Sequence, residues 1–210
     1  MVDLKKIAES LIQGNASQIR ELVQEAIDDG QDTGMILQEG LIAGMNVIGD
    51  RFKMNEIYIP EVLIAARAMK EGMVLLRPLI ASEAIKNEGA IVLGTVKGDL
   101  HDIGKNLVGM MLEGAGFDVI DLGIDVDPEK FIKATKENNA SIVGLSCLLT
   151  TTMAAMEDAI LSINNSQLNA KVKIMIGGAP ITQKYADEIG ADGYAPDAAR
   201  AVDLARQLTS

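Results

Sequence analysis

The chain has 210 residues, 48% hydrophobic and 23% charged, the balance of a soluble globular protein of one or two domains. A net charge of −11 argues against nucleic acid as the main ligand, which would call for a basic face. One cysteine excludes an internal disulfide or a cysteine-built zinc site, and one histidine excludes a multi-histidine metal centre.

The opening MVDLKKIAESLIQG carries charges through its apolar positions, unlike a signal peptide. No apolar run reaches the roughly 18 residues that would span a bilayer. These features predict a cytoplasmic protein with no membrane partner. Leu4, Ile7, Ala8, Leu11 and Ile12 recur at helical spacing and predict a first helix, stopped by Gly14. Asn15 with Gln18 reads as a capping box for a second, which buries Ile19, Leu22, Val23, Ala26 and Ile27 and ends at Gly30. Asp32 can cap a third, with Leu37, Leu41, Met45, Ile48 and Phe52 on one stripe. Pro60 suits the first turn of a fourth, whose face is Val62, Leu63, Ala66 and Met69, and Pro78 should kink or end it.

Beyond the polar linker expected at Ser82–Gly89, the pattern changes. Short β-rich runs at Ala90–Gly94, Asp118–Leu122, Ser141–Leu145, Val172–Ile176 and Gly193–Tyr194 alternate with helical patterns near 104–115, 128–138, 151–163, 180–188 and 197–208. Such alternation implies a parallel sheet with right-handed crossovers. The predicted architecture is α/β: an N-terminal four-helix bundle over residues 1–87, then a flavodoxin-like (Rossmann-type) five-stranded parallel sheet over 88–210. Ligands of such sheets sit beyond the carboxyl ends of the strands at the switch point, which places Thr95–Ile103, Ser146–Thr150 and Gly177–Pro180 there.

The first of these loops holds His101, with Asp99 before it, Asp102 after it, and Gly94, Gly98 and Gly104 around it. A carboxylate bonded to one imidazole nitrogen fixes the tautomer and raises the basicity of the other. That suits a metal ligand or a catalytic base; a solvated loop histidine is the plain alternative. The loop lacks both the Walker ending and the Gly-x-Gly-x-x-Gly fingerprint. One histidine holds a metal tightly only if the metal brings its own ligands, as a macrocycle does.

Asp99-x-His101-x-x-Gly104 resembles the cobalamin-binding signature, and its companions are present as Ser146-Cys147-Leu148 and Gly177-Gly178 after the third and fourth predicted strands. Gly44–Phe52 and Ile59–Met69 look like the helical cap of the methyl-transferring members. The chain resembles, nearly end to end, the small corrinoid proteins of methyltransferase systems for methanol, methylamines and quaternary amines. It is also similar to the cobalamin-binding module of methionine synthase.

The resemblance implies a cobalamin or related corrinoid with its own base detached from cobalt, and His101 as the lower axial, metal-bound ligand. Asp99 would orient His101, and Ser146 would extend the hydrogen-bond chain. Cofactor contacts would come from the signature loop, Gly98, Asp99, Leu100, His101, Asp102, Ile103 and Gly104. The nucleotide tail would pass beside Gly98, Gly104, Leu148, Thr150, Gly177 and Gly178, with Ala198 approaching it. Phe52 and Ile59 would lie over the upper face, although Phe52 also reads as plain core on its stripe. Cys147 reads as a buried strand-end residue. The implied function is a methyl carrier. It would take a methyl group on Co(I) from a substrate:corrinoid methyltransferase and pass it, from methyl-Co(III), to a second methyltransferase with a pterin or thiol acceptor. A reductive activase would rescue the Co(II) state. Two other classes stay open: a corrinoid subunit of an adenosylcobalamin-dependent mutase, which the cap argues against, and a cobalamin storage or sensing module.

Overall fold

The computed structural model describes residues 2–83, 88–168 and 172–210. The chain divides into two compact units, residues 1–86 with 114–116, and residues 87–113 with 117–210. Of the expected linker, Ser82 falls at the end of a helix, while Lys86 and Asn87 lie outside the described residues.

The first unit is helical. In α1 (Leu4–Ile12), Asp3 caps the first turn by accepting from the Lys5 amide. In α2 (Ala16–Asp28), the Asn15 side chain accepts from the Gln18 amide and donates to the Gln18 side chain, so the two residues do mark a helix start. Asp32 caps α3 (Thr33–Met35), which continues through a π-helical stretch (Ile36–Ile42) into α4 (Ala43–Lys53). The single helix expected after Asp32 is therefore one run whose pitch changes. Leu37, Leu41, Met45 and Ile48 are buried along it.

Pro60 does stand in the first turn of α5 (Ile59–Glu83), and the helix does not end at Pro78 but continues past it. Val74, whose carbonyl loses its partner to the proline ring, and Pro78 itself are exposed, so water can take the freed carbonyl. Leu63 is 42% exposed rather than buried. The buried stripe is Val62, Ala65, Met69, Gly72 and Leu76, alternating steps of three and four. No helix among the described residues is long and apolar enough to cross a membrane.

The second unit is an all-parallel five-stranded sheet in the order β2-β1-β3-β4-β5. Its strands are β1 (Ala90–Thr95), β2 (Asp118–Asp121), β3 (Ile142–Ser146), β4 (Lys173–Gly177) and β5 (Gly193–Tyr194). They alternate with α6 (Ile103–Gly114), α7 (Pro128–Glu137), α8 (Met153–Asn164), α9 (Gln183–Ile189) and α10 (Ala198–Thr209). This is the predicted flavodoxin-like order. Ile91, Val92 and Leu93 are consecutive and all buried, as a strand covered on both faces requires. The edge strand β2 carries exposed Asp118 and Asp121, which discourage further pairing. Phe131, Met156, Ile160, Val143 and Ile174 fill one side of the core. Because β1 lies between β2 and β3, the connections leaving its neighbours diverge, and a crevice opens at the carboxyl ends of β1 and β3.

Candidate functional site

At that edge the strand ends stand in register: Thr95 pairs with Ser146, and Ser146 with Gly177. The chain leaves β1 through a tight turn in which the Asp99 amide donates to the Val96 carbonyl at 3.1 Å. The turn brings the Asp99 side chain beneath the loop that follows β3, and Asp99 is fully buried there.

A buried carboxylate is costly unless its lone pairs are filled. Those of Asp99 are. Oδ1 accepts from the His101 amide at 3.0 Å and from His101 Nδ1 at 2.8 Å. Oδ2 accepts from the Leu148 amide at 2.8 Å, the Leu149 amide at 3.2 Å and Thr152 Oγ1 at 2.9 Å. Burial works to raise the pKa of Asp99. The His101 amide, the Leu148 amide, the His101 ring and the Thr152 hydroxyl outweigh it and hold the group well below the ordinary carboxylate range. Asp99 is therefore an anion, and its Oδ1 accepts from Nδ1 of the His101 ring. The other ring nitrogen, Nε2, has no protein partner among the described residues. The imidazole is half exposed. The His101 carbonyl is also held, accepting from Thr95 Oγ1 at 2.9 Å.

Ser146 does not extend this chain. It remains inside the β3 ladder beside Thr95, whereas Asp99 lies beyond the end of β1 and is met by the loop beyond β3. The hydroxyl that reaches Asp99 belongs to Thr152, which sequence reasoning missed in favour of Ser146. The available signal was position: Thr152 is the N-cap of α8, where a hydroxyl normally bonds the helix's first free amides. Here it makes no capping bond and serves Asp99 instead. Cys147 is buried with Sγ 3.2 Å from the same hydroxyl, and burial pushes its thiol pKa up, which suits a packed thiol rather than a nucleophile.

The remaining named residues fall into three groups. Leu100, Ile103, Leu148 and Leu149 are exposed apolar side chains on the loops around His101, and Thr150 is exposed beside them. Asp102 accepts from Asn106 Nδ2, Asn106 accepts from the buried Lys105, and Lys105 donates to Asp121 at 2.5 Å, tying the start of α6 to the end of β2. Gly177 and Gly178 end β4; a Cβ on Gly178, at φ +135°, would lie 1.7 Å from the Cys147 carbonyl oxygen, so only glycine fits. Ala198 is buried in the first turn of α10. In the helical unit Phe52 is half-buried and Ile59 is 44% exposed.

The donor set suits a macrocyclic metal cofactor better than a bare ion. Among the described residues no group of three or more His, Cys, Asp or Glu side chains could hold a metal. A single imidazole nitrogen open to one side, rimmed by exposed leucine and isoleucine, offers one axial bond and apolar contact to a flat ring system. A Cβ on Gly104 would meet nothing within 4 Å, so no protein atom demands a glycine there.

Fold and site thus define a flavodoxin-like ligand-binding protein with one bare imidazole at its switch point. Comparison with known proteins agrees. B12 binding domain families match residues 89–203 and residues 3–77. The chain is 42% identical over 208 residues to a corrinoid protein of Desulfitobacterium hafniense (strain Y51), covering 98% of this chain and 96% of that one. It is 42% identical over 205 residues to dimethylamine corrinoid protein 3 of Methanosarcina acetivorans, with the same coverage. Among solved structures it resembles a cobalamin-binding protein from D. hafniense DCB-2, with TM-score 0.79, 32% identity and 99% of each chain covered. It also resembles a chain of the methanol:cobalamin methyltransferase complex from Methanosarcina barkeri, with TM-score 0.82, 30% identity, and 97% of this chain and 78% of that one covered. The chain belongs to the B12-binding family, among the corrinoid proteins of methyltransferase systems, and its cofactor is a corrinoid.

Proposed function

We propose that this protein is a cytoplasmic methyl carrier in which His101 Nε2 is the lower axial ligand of the corrinoid. The observation that carries the reading is the Asp99–His101 pair: an anionic, five-fold hydrogen-bonded carboxylate that leaves one imidazole nitrogen bare in an apolar rim. When bound, the corrinoid supplies a cobalt that can accept a methyl group and release it. The protein's own residues set access and basicity. Asp99 holds the Nδ1 proton and so keeps the Nε2 lone pair directed outward. Thr152 and the Leu148 and Leu149 amides keep Asp99 ionised and still. Leu100, Ile103, Leu148 and Leu149 exclude water from the lower face. Gly98, Gly104, Gly177 and Gly178 leave room for the nucleotide tail beside Thr150 and near Ala198.

The partners proposed are a substrate:corrinoid methyltransferase, a second methyltransferase with a pterin or thiol acceptor, and a reductive activase. The methanol and dimethylamine systems of the relatives support methanol or a methylamine as donor. The match of a B12 binding family to residues 3–77 favours the carrier over a mutase subunit, which the helical region would not serve. The test is single-turnover methylation. Cobalamin-loaded protein, reduced to Co(I), is mixed with methanol or dimethylamine and the matching methyltransferase, and its absorbance is followed. Conversion at stoichiometric yield is expected. No conversion with methanol, methylamine and quaternary amine enzymes, alongside turnover in a mutase assay, would overturn the reading.

A further inference from the structure

Resting on the reading of His101 as axial ligand, we infer that Asp125 is a positioning residue for that imidazole. Asp125 lies in the loop between β2 and α7, outside every motif quoted above. Its φ is +53°, a left-handed conformation uncommon for a residue with a Cβ. Two other described non-glycine residues share it, Asn55 and Asn139. Both follow a helix end, where left-handed backbone is the ordinary way to finish the last turn. Asp125 follows no helix, so its conformation needs another cause.

The cause is on the other side of the crevice. The Asp125 amide donates to the Asp99 carbonyl at 3.1 Å, and Asp125 Oδ1 accepts from the Gly98 amide at 2.7 Å. One residue can offer its amide and its carboxylate to neighbouring peptides of the same turn because its backbone is left-handed. The flanks continue the join. Val96 bridges Val126 in parallel, the Val126 amide donates to the Thr95 carbonyl, and Lys97 pairs with Asp127 at 2.6 Å. Asp127, like Thr152, is a helix N-cap residue that makes no capping bond.

Asp99 is thus gripped from two sides. The loop after β3 holds its carboxylate, and Asp125 holds its backbone. His101 is two residues on and bonded to Asp99 through both its amide and its ring. Asp125 does not touch the imidazole; it restricts where Asp99 can place it.

Two substitutions separate this role from plain loop stability. Asp125→Gly keeps a relaxed left-handed backbone and deletes only the carboxylate; Asp125→Asn keeps an acceptor and tolerates the same φ. In the ligand-free protein, Asp125→Gly should melt at or above the wild-type temperature yet exchange the Gly98 amide about threefold faster, the size expected of one exposed hydrogen bond. In the cobalamin-loaded protein, a threefold weaker histidine–Co(II) bond should raise the Co(II)/Co(I) midpoint by about 30 mV, at 59 mV per decade for one electron. Asp125→Asn should restore both values. Wild-type exchange and potential in Asp125→Gly, or equal shifts in the glycine and asparagine variants, would overturn the inference while leaving the axial reading intact. A His101→Ala protein that keeps the wild-type nitrogen splitting of its Co(II) EPR signal would overturn both.

Discussion

The helical unit and the α/β unit treat polar groups differently. In the helical unit several polar pairs sit at the surface: Arg20 with Glu71, Asn15 with Gln18, Gln24 with Asp28. In the α/β unit two charged side chains, Asp99 and Lys105, are buried, the only buried charges among the described residues. Both lie beside the carboxyl edge of the sheet, and both are bonded to groups on other loops or strands. Burying a charge opposes folding unless every lone pair or proton finds a partner. Where packing alone decides a residue, as along α1 to α5, the result is a periodic apolar stripe. Where a charge is kept inside against that cost, the reason is the use made of it.

The largest test of this contrast is Asp99→Asn. An amide cannot accept the same five bonds, and the ligand-free protein should lose about 2–4 kcal/mol near neutral pH. The folded pKa of Asp99 lies below its unfolded value. Its contribution is therefore fully present above the ordinary carboxylate pKa of about 3.9 and is lost as pH falls through the folded value. Urea unfolding of both proteins should show a constant gap from about pH 6 to 8 that narrows below about pH 4. A gap unchanged at low pH would mean that Asp99 is not held as an anion.

In the helical unit the corresponding test involves no charge. Val62→Ala removes two buried methyl groups and should cost about 2 kcal/mol, whereas Leu63→Ala, one residue on but exposed, should stay within about 0.5. Equal losses would show that the stripe is placed wrongly. Smaller again is the choice between hydroxyls. Thr152→Val should cost about 1–2 kcal/mol through the bond to Asp99, and Ser146→Ala less than about 0.5. The reverse order would return Ser146 to the hydrogen-bond chain.

These pairs also mark what the sequence could reveal. Helix starts at Asn15 and Asp32 and all five strands were legible because caps and β-rich runs are local signals. Asp99-x-His101-x-x-Gly104 was legible because its residues are near neighbours along one loop. Leu63 was misplaced because the apolar face of α5 carries more apolar residues than its stripe can bury. That α5 continues past Pro78 was not legible, because the cost of a helical proline depends on whether water reaches the freed carbonyl. Thr152 and Asp125 stayed hidden for a different reason. Each meets the Asp99 turn from a distant part of the chain, and only the β2-β1-β3 order brings them there.

At Gly104 no loss of stability is expected. Alanine meets no protein atom there and should leave the ligand-free protein unchanged or up to about 1 kcal/mol more stable. Cobalamin affinity should nevertheless fall, measured by titration of the same sample. Unchanged affinity would mean that the open space beside α6 is not the cofactor's.

The central claim is that one imidazole nitrogen, freed by Asp99, takes the metal. The direct measurement is the Co(II) EPR spectrum of the cobalamin-loaded protein and its His101→Ala variant. Wild type should show superhyperfine splitting from a single axial nitrogen, and His101→Ala should lose it while still folding. The same splitting in both proteins would contradict the account.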